Sequence, residues 1–334
     1  ENFDVEYKKF NLKLKNLESK RIDIINIFLQ KEKNFKKNFK IFFYLIRDHG
    51  IIPFAKYARN AFIGKKFLNS LKKEKILNEK KINLILNSLE TITTTYLNIS
   101  KKKGKKNHDI YRNYFYHLRP GTYDITISRN LKKLSQYKID NFNSILDISK
   151  DYSYLLSKNE KKKINSYLKK ENFTFDSKKL INYIIQSLRL RENSKFIFTR
   201  ALSDFLQIIE NKGKNKKIDL ESLSKLDVTK IINDPDLRNI KKTSKKISFK
   251  EKFDELCKLP YLITSKADFF IASILISKPN FITNEVINSK IIKIKKNQIK
   301  EKINKKIVLI ENADPGFDWI FNYKINGLIT KYGG

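Results

Sequence analysis

The stretch SKKLINYIIQSLRLRENSKFIFTRALSDFLQIIENKG, residues 177–213, decides the fold class. Leu180, Ile184, Leu188, Phe198, Leu202, Phe205 and Ile209 keep to a three- and four-residue spacing, which gathers them on one side of a helix. Gly213 is placed to end that helix. Its middle differs, because Arg189, Arg191, Glu192, Lys195 and Arg200 interrupt or flank the apolar stripe. Several of these charges share a face. The ordinary reading is a solvated surface carrying side-chain pairs of about 0.2–0.5 kcal/mol each.

Working outward, the same periodicity recurs. Between Ile52 and Leu71 it runs through Phe54, Ala58, Ala61, Phe62 and Leu68, and between Ile76 and Ile99 through Ile82, Ile85, Leu86, Leu89 and Ile92. Residues 1–253 therefore read as a helical bundle domain. Near Asp254 the texture changes to short β-branched or aromatic runs, at Tyr261–Ile263, Phe269–Ile276 and Lys290–Ile294. Lys306–Ile310 has the pattern of a buried strand, and Asp314-Pro315-Gly316 offers a cap and a first-turn proline for a short helix over Phe317–Tyr323. Gly327–Thr330 is then another strand, so residues 254–334 are expected to form a truncated α/β domain with a parallel pair. The fold class is mainly α, with a small α/β part. Ligands approach such pairs at the carboxyl ends of the strands, where Gly333 and Gly334 fall.

Composition narrows the function. The chain has 334 residues and a formal net charge of +36, from 71 Lys and Arg against 35 Asp and Glu. A charge this large points first to nucleic acid, and a basic helical nucleic-acid-binding protein is the competing reading. The lysines are nevertheless spread through nearly every segment together with Asn and Ile, as codon bias would produce. Cys257 is the single cysteine, which excludes an internal disulfide and a thiolate metal cluster and fits a reducing cytoplasm. No run of about 18 apolar residues suggests a membrane span. A first residue other than methionine, the absence of methionine throughout, and an end directly after a strand-like run suggest a piece of a longer polypeptide.

The most unusual local stretch is Tyr116-His117-Leu118-Arg119-Pro120-Gly121-Thr122-Tyr123-Asp124-Ile125. Arg119 is suited to clamp a phosphate or carboxylate, His117 to exchange a proton near neutral pH, and Asp124 to orient either. Equally, Pro-Gly can simply turn the chain, with Asp124 paired to Arg119 and His117 a core group. No His/Cys cluster, nucleophile elbow or nucleotide-binding glycine loop is found, so no complete catalytic site is visible.

Taken in order, several motifs resemble one family. Phe54–Ile63 (FAKYARNAFI), His117–Ile125 (HLRPGTYDI) and Arg191–Arg200 (RENSKFIFTR) are similar to the helical middle domain of phosphoenolpyruvate-utilising phosphotransferases. Pro279–Thr283 and Gly327–Gly334 (GLITKYGG) are similar to their swivelling phosphohistidine domain. The likeness is to the phosphoenolpyruvate synthase and rifampicin phosphotransferase group, and the Arg-Pro-Gly order matches the synthase-like branch better.

That resemblance implies a three-part enzyme. An upstream ATP-grasp domain of the same polypeptide binds ATP and Mg, so neither is expected to bind this chain. Residues 1–253 bind a small-molecule acceptor, pyruvate or another, and residues 254–334 begin the mobile domain whose histidine carries the phosphoryl group. That histidine is expected just beyond Gly334, leaving no catalytic residue within the chain. His117, Arg119, Gly121, Tyr123, Asp124, Arg191 and Lys195 would bind the acceptor, and Thr330, Gly333 and Gly334 would form a phosphate loop. No metal ligand, nucleic acid or membrane is implied, and the enzyme would be cytoplasmic.

Overall fold

A computed structural model of the chain describes residues 3–29, 34–92, 94–95, 114–118, 121–127, 146–234, 237, 264–270, 281–283, 285–294, 303–313 and 315–332. It is mainly helical with a small parallel sheet. The helices are α1 (Phe3–Leu29), α2 (Phe35–Ile46), α3 (Ile52–Lys73), α4 (Glu79–Asn87), α5 (Lys158–Lys170), α6 (Ser177–Asn215), α7 (Leu220–Ser224) and α8 (Val228–Asn233). The strands are β1 (Ile291–Lys293), β2 (Ile307–Asn312) and β3 (Gly327–Tyr332). Two compact units are distinguished, residues 1–118 with 131–207 and residues 119–130 with 208–334. The boundary expected at residues 253 and 254 lies outside the described residues.

In the first unit, α2 runs into α3 through a π turn over Arg47–Ile51, in which the Ile52 amide bonds the Arg47 carbonyl. Pro53 supplies no amide to an α ladder, and the wider turn absorbs that break. His49 therefore lies inside a continuous helical rod. Its Nδ1 lies 3.1 Å from the Asn16 amide nitrogen. Gly50 is required there by packing, since a Cβ would come within 2.8 Å of Phe198 Cβ and 2.9 Å of Leu17 Cδ2. An apolar core forms where Leu68 and Leu71 of α3, Ile82 and Ile85 of α4, Ile164 and Leu168 of α5, and Leu180 and Ile184 of α6 interlock.

Two helix ends differ from expectation. Of the helix expected over residues 76–99, α4 covers Glu79–Asn87, and after a break Ile92, Thr94 and Thr95 are helical again; residues 93 and 96–99 lie outside the described residues. Asn78 caps the start of α4 by accepting a bond from the Lys81 amide, and the Ser88 hydroxyl donates to the Ile85 carbonyl at its end. Gly213 does not end α6. It lies inside the helix, where a Cβ would meet Leu223 Cδ1 at 2.6 Å, so packing requires the missing side chain. The stop comes at Lys217, whose φ of 53° lets the Ile218 amide bond the Gly213 carbonyl at 2.9 Å and the Lys217 amide bond that of Lys214 at 3.0 Å.

In the second unit the sheet order is β1-β2-β3, with both pairs parallel. Ile291 is opposite Ile307, and Val308 is opposite Leu328. The link between β2 and β3 is a 3-10 helix over Pro315–Asn322 rather than an α-helix. Val308 and Ile310 of β2 bury against Phe317 and Ile320 from that link, joined by Ile294 and Ile303. Leu328 and Ile329 of β3 stay exposed, unlike the strands of a parallel sheet covered on both faces. The strand expected from Phe269 is not seen at its start, because Lys266–Phe270 form a 3-10 turn closed by Asp268 accepting from the Thr264 and Ser265 amides. Residues 261–263 and 271–276 lie outside the described residues.

Candidate functional site

The turn Tyr114–Leu118 of the first unit is clamped to α6 by rings. Phe196 stacks on Tyr114 with centroids 5.5 Å apart and meets Phe115 edge-on at 5.7 Å. It also meets the His117 ring at 4.7 Å, while Tyr116 lies 5.5 Å from that ring on another side. His117 is fully buried. The Leu118 amide closes the turn on the Phe115 carbonyl at 2.9 Å.

Beside this turn lies a buried ionic quartet. Glu18 and Arg21 come from α1, and Arg200 and Asp204 from α6, and three of the four are 0% exposed with Glu18 at 6%. Arg21 donates through Nε and a terminal nitrogen to both oxygens of Glu18, at 2.9 and 3.0 Å. Its other terminal nitrogen donates to Asp204 Oδ2 at 2.7 Å. The second Asp204 oxygen accepts the Tyr116 hydroxyl at 2.7 Å. Arg200 completes the set, 3.4 Å from Glu18 Oε1 with its guanidinium carbon 5.5 Å from the Tyr116 ring centroid. Two positive and two negative groups balance, as burial demands.

Burial shapes their proton affinities. It pushes the Asp204 carboxyl above the usual carboxylate range, against the lowering pull of Arg21 and the Tyr116 hydroxyl. The Tyr116 hydroxyl is held well above the ordinary phenol range by burial and by the Asp204 charge. Burial opposes the Arg21 charge, but Tyr116, Asp204 and Glu18 together outweigh it and raise its proton affinity, so it remains a cation.

The other expected site residues are placed as follows. Arg119, Gly333 and Gly334 lie outside the described residues. In the second unit, Gly121 has φ of 75° and is packed against Ile127, so the left-handed turn there needs glycine. Asp124 closes the turn, its Oδ1 accepting from the Thr126 amide at 2.9 Å and hydroxyl at 2.6 Å. Thr122 is buried and Tyr123 exposed. Thr330 sits in β3 opposite Ile310. On α6 in the first unit, Arg191 pairs with Glu192 at 3.4 Å and lies 5.9 Å from the Phe62 ring. Lys195, one turn on, is half-buried. The charged band on α6 is therefore not one solvated face, since Arg189 and Arg200 are buried.

A cavity of about 710 Å³ opens in the first unit beside Asn60, Ile63, Phe67, Tyr183 and Gln186, and His117, Arg191 and Lys195 do not line it. Among the described residues no group of three or more His, Cys, Asp or Glu side chains is arranged to hold a metal ion. No described helix is long and apolar enough to cross a membrane.

The quartet is what sequence reasoning missed. Its signal was present in α1, where Leu14, Leu17, Arg21 and Ile25 keep one apolar spacing with an arginine in a core position. Arg200 and Asp204 answer it on α6. Protein-family models, curated proteins and solved structures give no match to this chain.

Proposed function

We propose that the chain is part of an ATP-dependent phosphotransferase of the phosphoenolpyruvate synthase type, with residues 1–253 serving the acceptor and residues 254–334 beginning a phosphohistidine carrier. The observation that carries this reading is the parallel β2 and β3 pair, whose last strand leads at Tyr332 directly into Gly333-Gly334. Backbone at the carboxyl edge of such a pair suits close approach to a phosphoryl group, and glycine removes the side chains that would obstruct it. The ordered sequence motifs from Phe54 to Gly334 support the same reading.

In this proposal a neutral imidazole nitrogen beyond Gly334 attacks phosphorus of the nucleotide. A P–N bond forms as the P–O bond to the leaving nucleotide breaks. An acceptor oxygen then attacks the same phosphorus, gives up its proton, and the P–N bond breaks to return the imidazole. ATP and Mg belong to an upstream domain. Arg119 holds an anionic group of the acceptor with paired hydrogen bonds, and Gly121 and Asp124 shape the turn that follows it in sequence.

Arg119→Ala in the full-length enzyme separates the two halves of the reaction. Transfer from the phosphorylated enzyme to acceptor is expected to fall by about 100-fold, with ATP-driven self-phosphorylation unchanged. Equal loss of both would assign Arg119 to folding instead.

A further inference from the structure

The quartet is an expensive way to fill an interior. Charged groups taken out of water lose hydration that their mutual attraction only partly returns, and apolar side chains of similar volume would hold α1 to α6 at least as well. What an ionic interior adds is a single permitted geometry. Arg21 bridges two carboxylates at once, gripping Glu18 through two nitrogens and Asp204 through a third. Sliding α1 along α6 by one helical turn, about 5.4 Å, would break the Arg21–Asp204 bond and the Arg200–Glu18 contact between the helices, while Glu18 and Arg21 would stay bonded within α1. Apolar surfaces would tolerate such a slip far better.

The quartet also reaches beyond the two helices. Asp204 spends one oxygen on Arg21 and the other on the Tyr116 hydroxyl, so the Tyr114–Leu118 turn is tied to the same lattice. Arg200 lies against the Tyr116 and Tyr114 rings, at 5.5 and 5.9 Å. Phe196, one turn before Arg200 on α6, holds Tyr114, Phe115 and His117. The residue after this turn is Arg119.

We propose that Glu18, Arg21, Arg200 and Asp204, acting through Tyr116, are positioning residues that lock the Tyr114–Leu118 turn in one register on α6, and that acceptor transfer depends on this register because the turn leads in sequence to Arg119. The functional part rests on the phosphotransferase reading. The structural part stands without it. None of the five need touch the acceptor, and Tyr116 transmits the constraint through its hydroxyl.

Two substitutions test it. Tyr116→Phe removes the hydroxyl and keeps the ring, and Arg21→Lys keeps the charge but cannot bridge Glu18 and Asp204 with a planar fork. The first readout is amide hydrogen exchange on the purified chain. Protection of residues 114–118 is expected to fall about tenfold or more in both variants, while the centre of α6 keeps its own. Unchanged protection at 114–118 in either variant overturns the proposal. So does an equal loss along all of α1 and α6, which would make the quartet a general stabiliser.

The second readout is kinetic, in the full-length enzyme. Acceptor transfer by Tyr116→Phe is expected to fall by about 100-fold, with self-phosphorylation retained. Full retention of acceptor transfer would overturn the functional part. If the unsubstituted enzyme does not phosphorylate itself from ATP, the phosphotransferase reading fails, and the exchange result still decides whether the turn is locked.

Discussion

The packing around α1 and α6 and the core beneath the sheet are built on different principles. Around α1 and α6 the first unit buries Glu18, Arg21, Arg200 and Asp204, whereas the core beneath the sheet is Ile294, Ile303, Val308, Ile310, Phe317 and Ile320. Every residue of that sheet core is hydrophobic. An apolar core is held by area and volume and accepts small rearrangements. An ionic core is held by pairwise geometry and does not. The contrast matches the proposed division of labour, in which one region must hold a binding loop still and the other needs only a stable platform beneath a strand edge.

The sharpest way to break this comparison is to remove one partner from each core. Asp204→Ala removes one of the two carboxylates that hold Arg21 and the acceptor of the Tyr116 hydroxyl, leaving two buried cations against one anion, and breaking a buried ionic set in this way costs about 3–5 kcal/mol. Ile310→Val removes one buried methylene from the sheet core and costs about 0.5–1.5 kcal/mol. Denaturant unfolding of the two variants, compared with the parent chain, checks both figures. A smaller loss for Asp204→Ala than for Ile310→Val would remove the distinction.

A smaller effect concerns pH. Burial raises the Tyr7 hydroxyl to about 12, and it donates to the Leu146 carbonyl while the Asn11 amide donates to the same oxygen at 3.0 Å. A raised folded value means the contribution to stability is complete below the ordinary phenol value near 10, and is lost as pH rises from about 10 to about 12. Ultraviolet titration of the folded chain should show phenol ionising near 12 that Tyr7→Phe removes. The sheet core contains no titratable group, so its contribution stays level across the same interval.

Much of this architecture was legible in the sequence. The stripes of α3 and α6 identified long helices because their apolar residues obey one spacing, and Lys306–Ile310 and Gly327–Thr330 were readable as paired strands for their β-branched runs. Helix ends were less legible. Gly213 looked like a stop, yet it serves close packing against Leu223, and Lys217 takes the left-handed position instead. The π turn at Arg47–Ile51 leaves no compositional trace beyond Pro53, since an inserted residue alters hydrogen-bond register and not residue type.

The site was legible only in part. His117, Gly121 and Asp124 stood out as unusual neighbours, and the structure assigns the last two to one left-handed turn. Glu18 and Arg21 were passed over because charges three residues apart on a helix are ordinarily solvated. Their burial depends on Asp204, 183 residues from Arg21, and no local pattern reports a partner so distant.

The central claim is that a histidine beyond Gly334 carries a phosphoryl group from ATP. Incubating the full-length protein with radiolabelled ATP and Mg, then dividing the denatured product between acid and alkali, tests it most directly. The expected result is covalent label that survives alkali, is lost in acid, and disappears when that histidine is replaced. Absence of label, or label that acid leaves intact, would contradict the account.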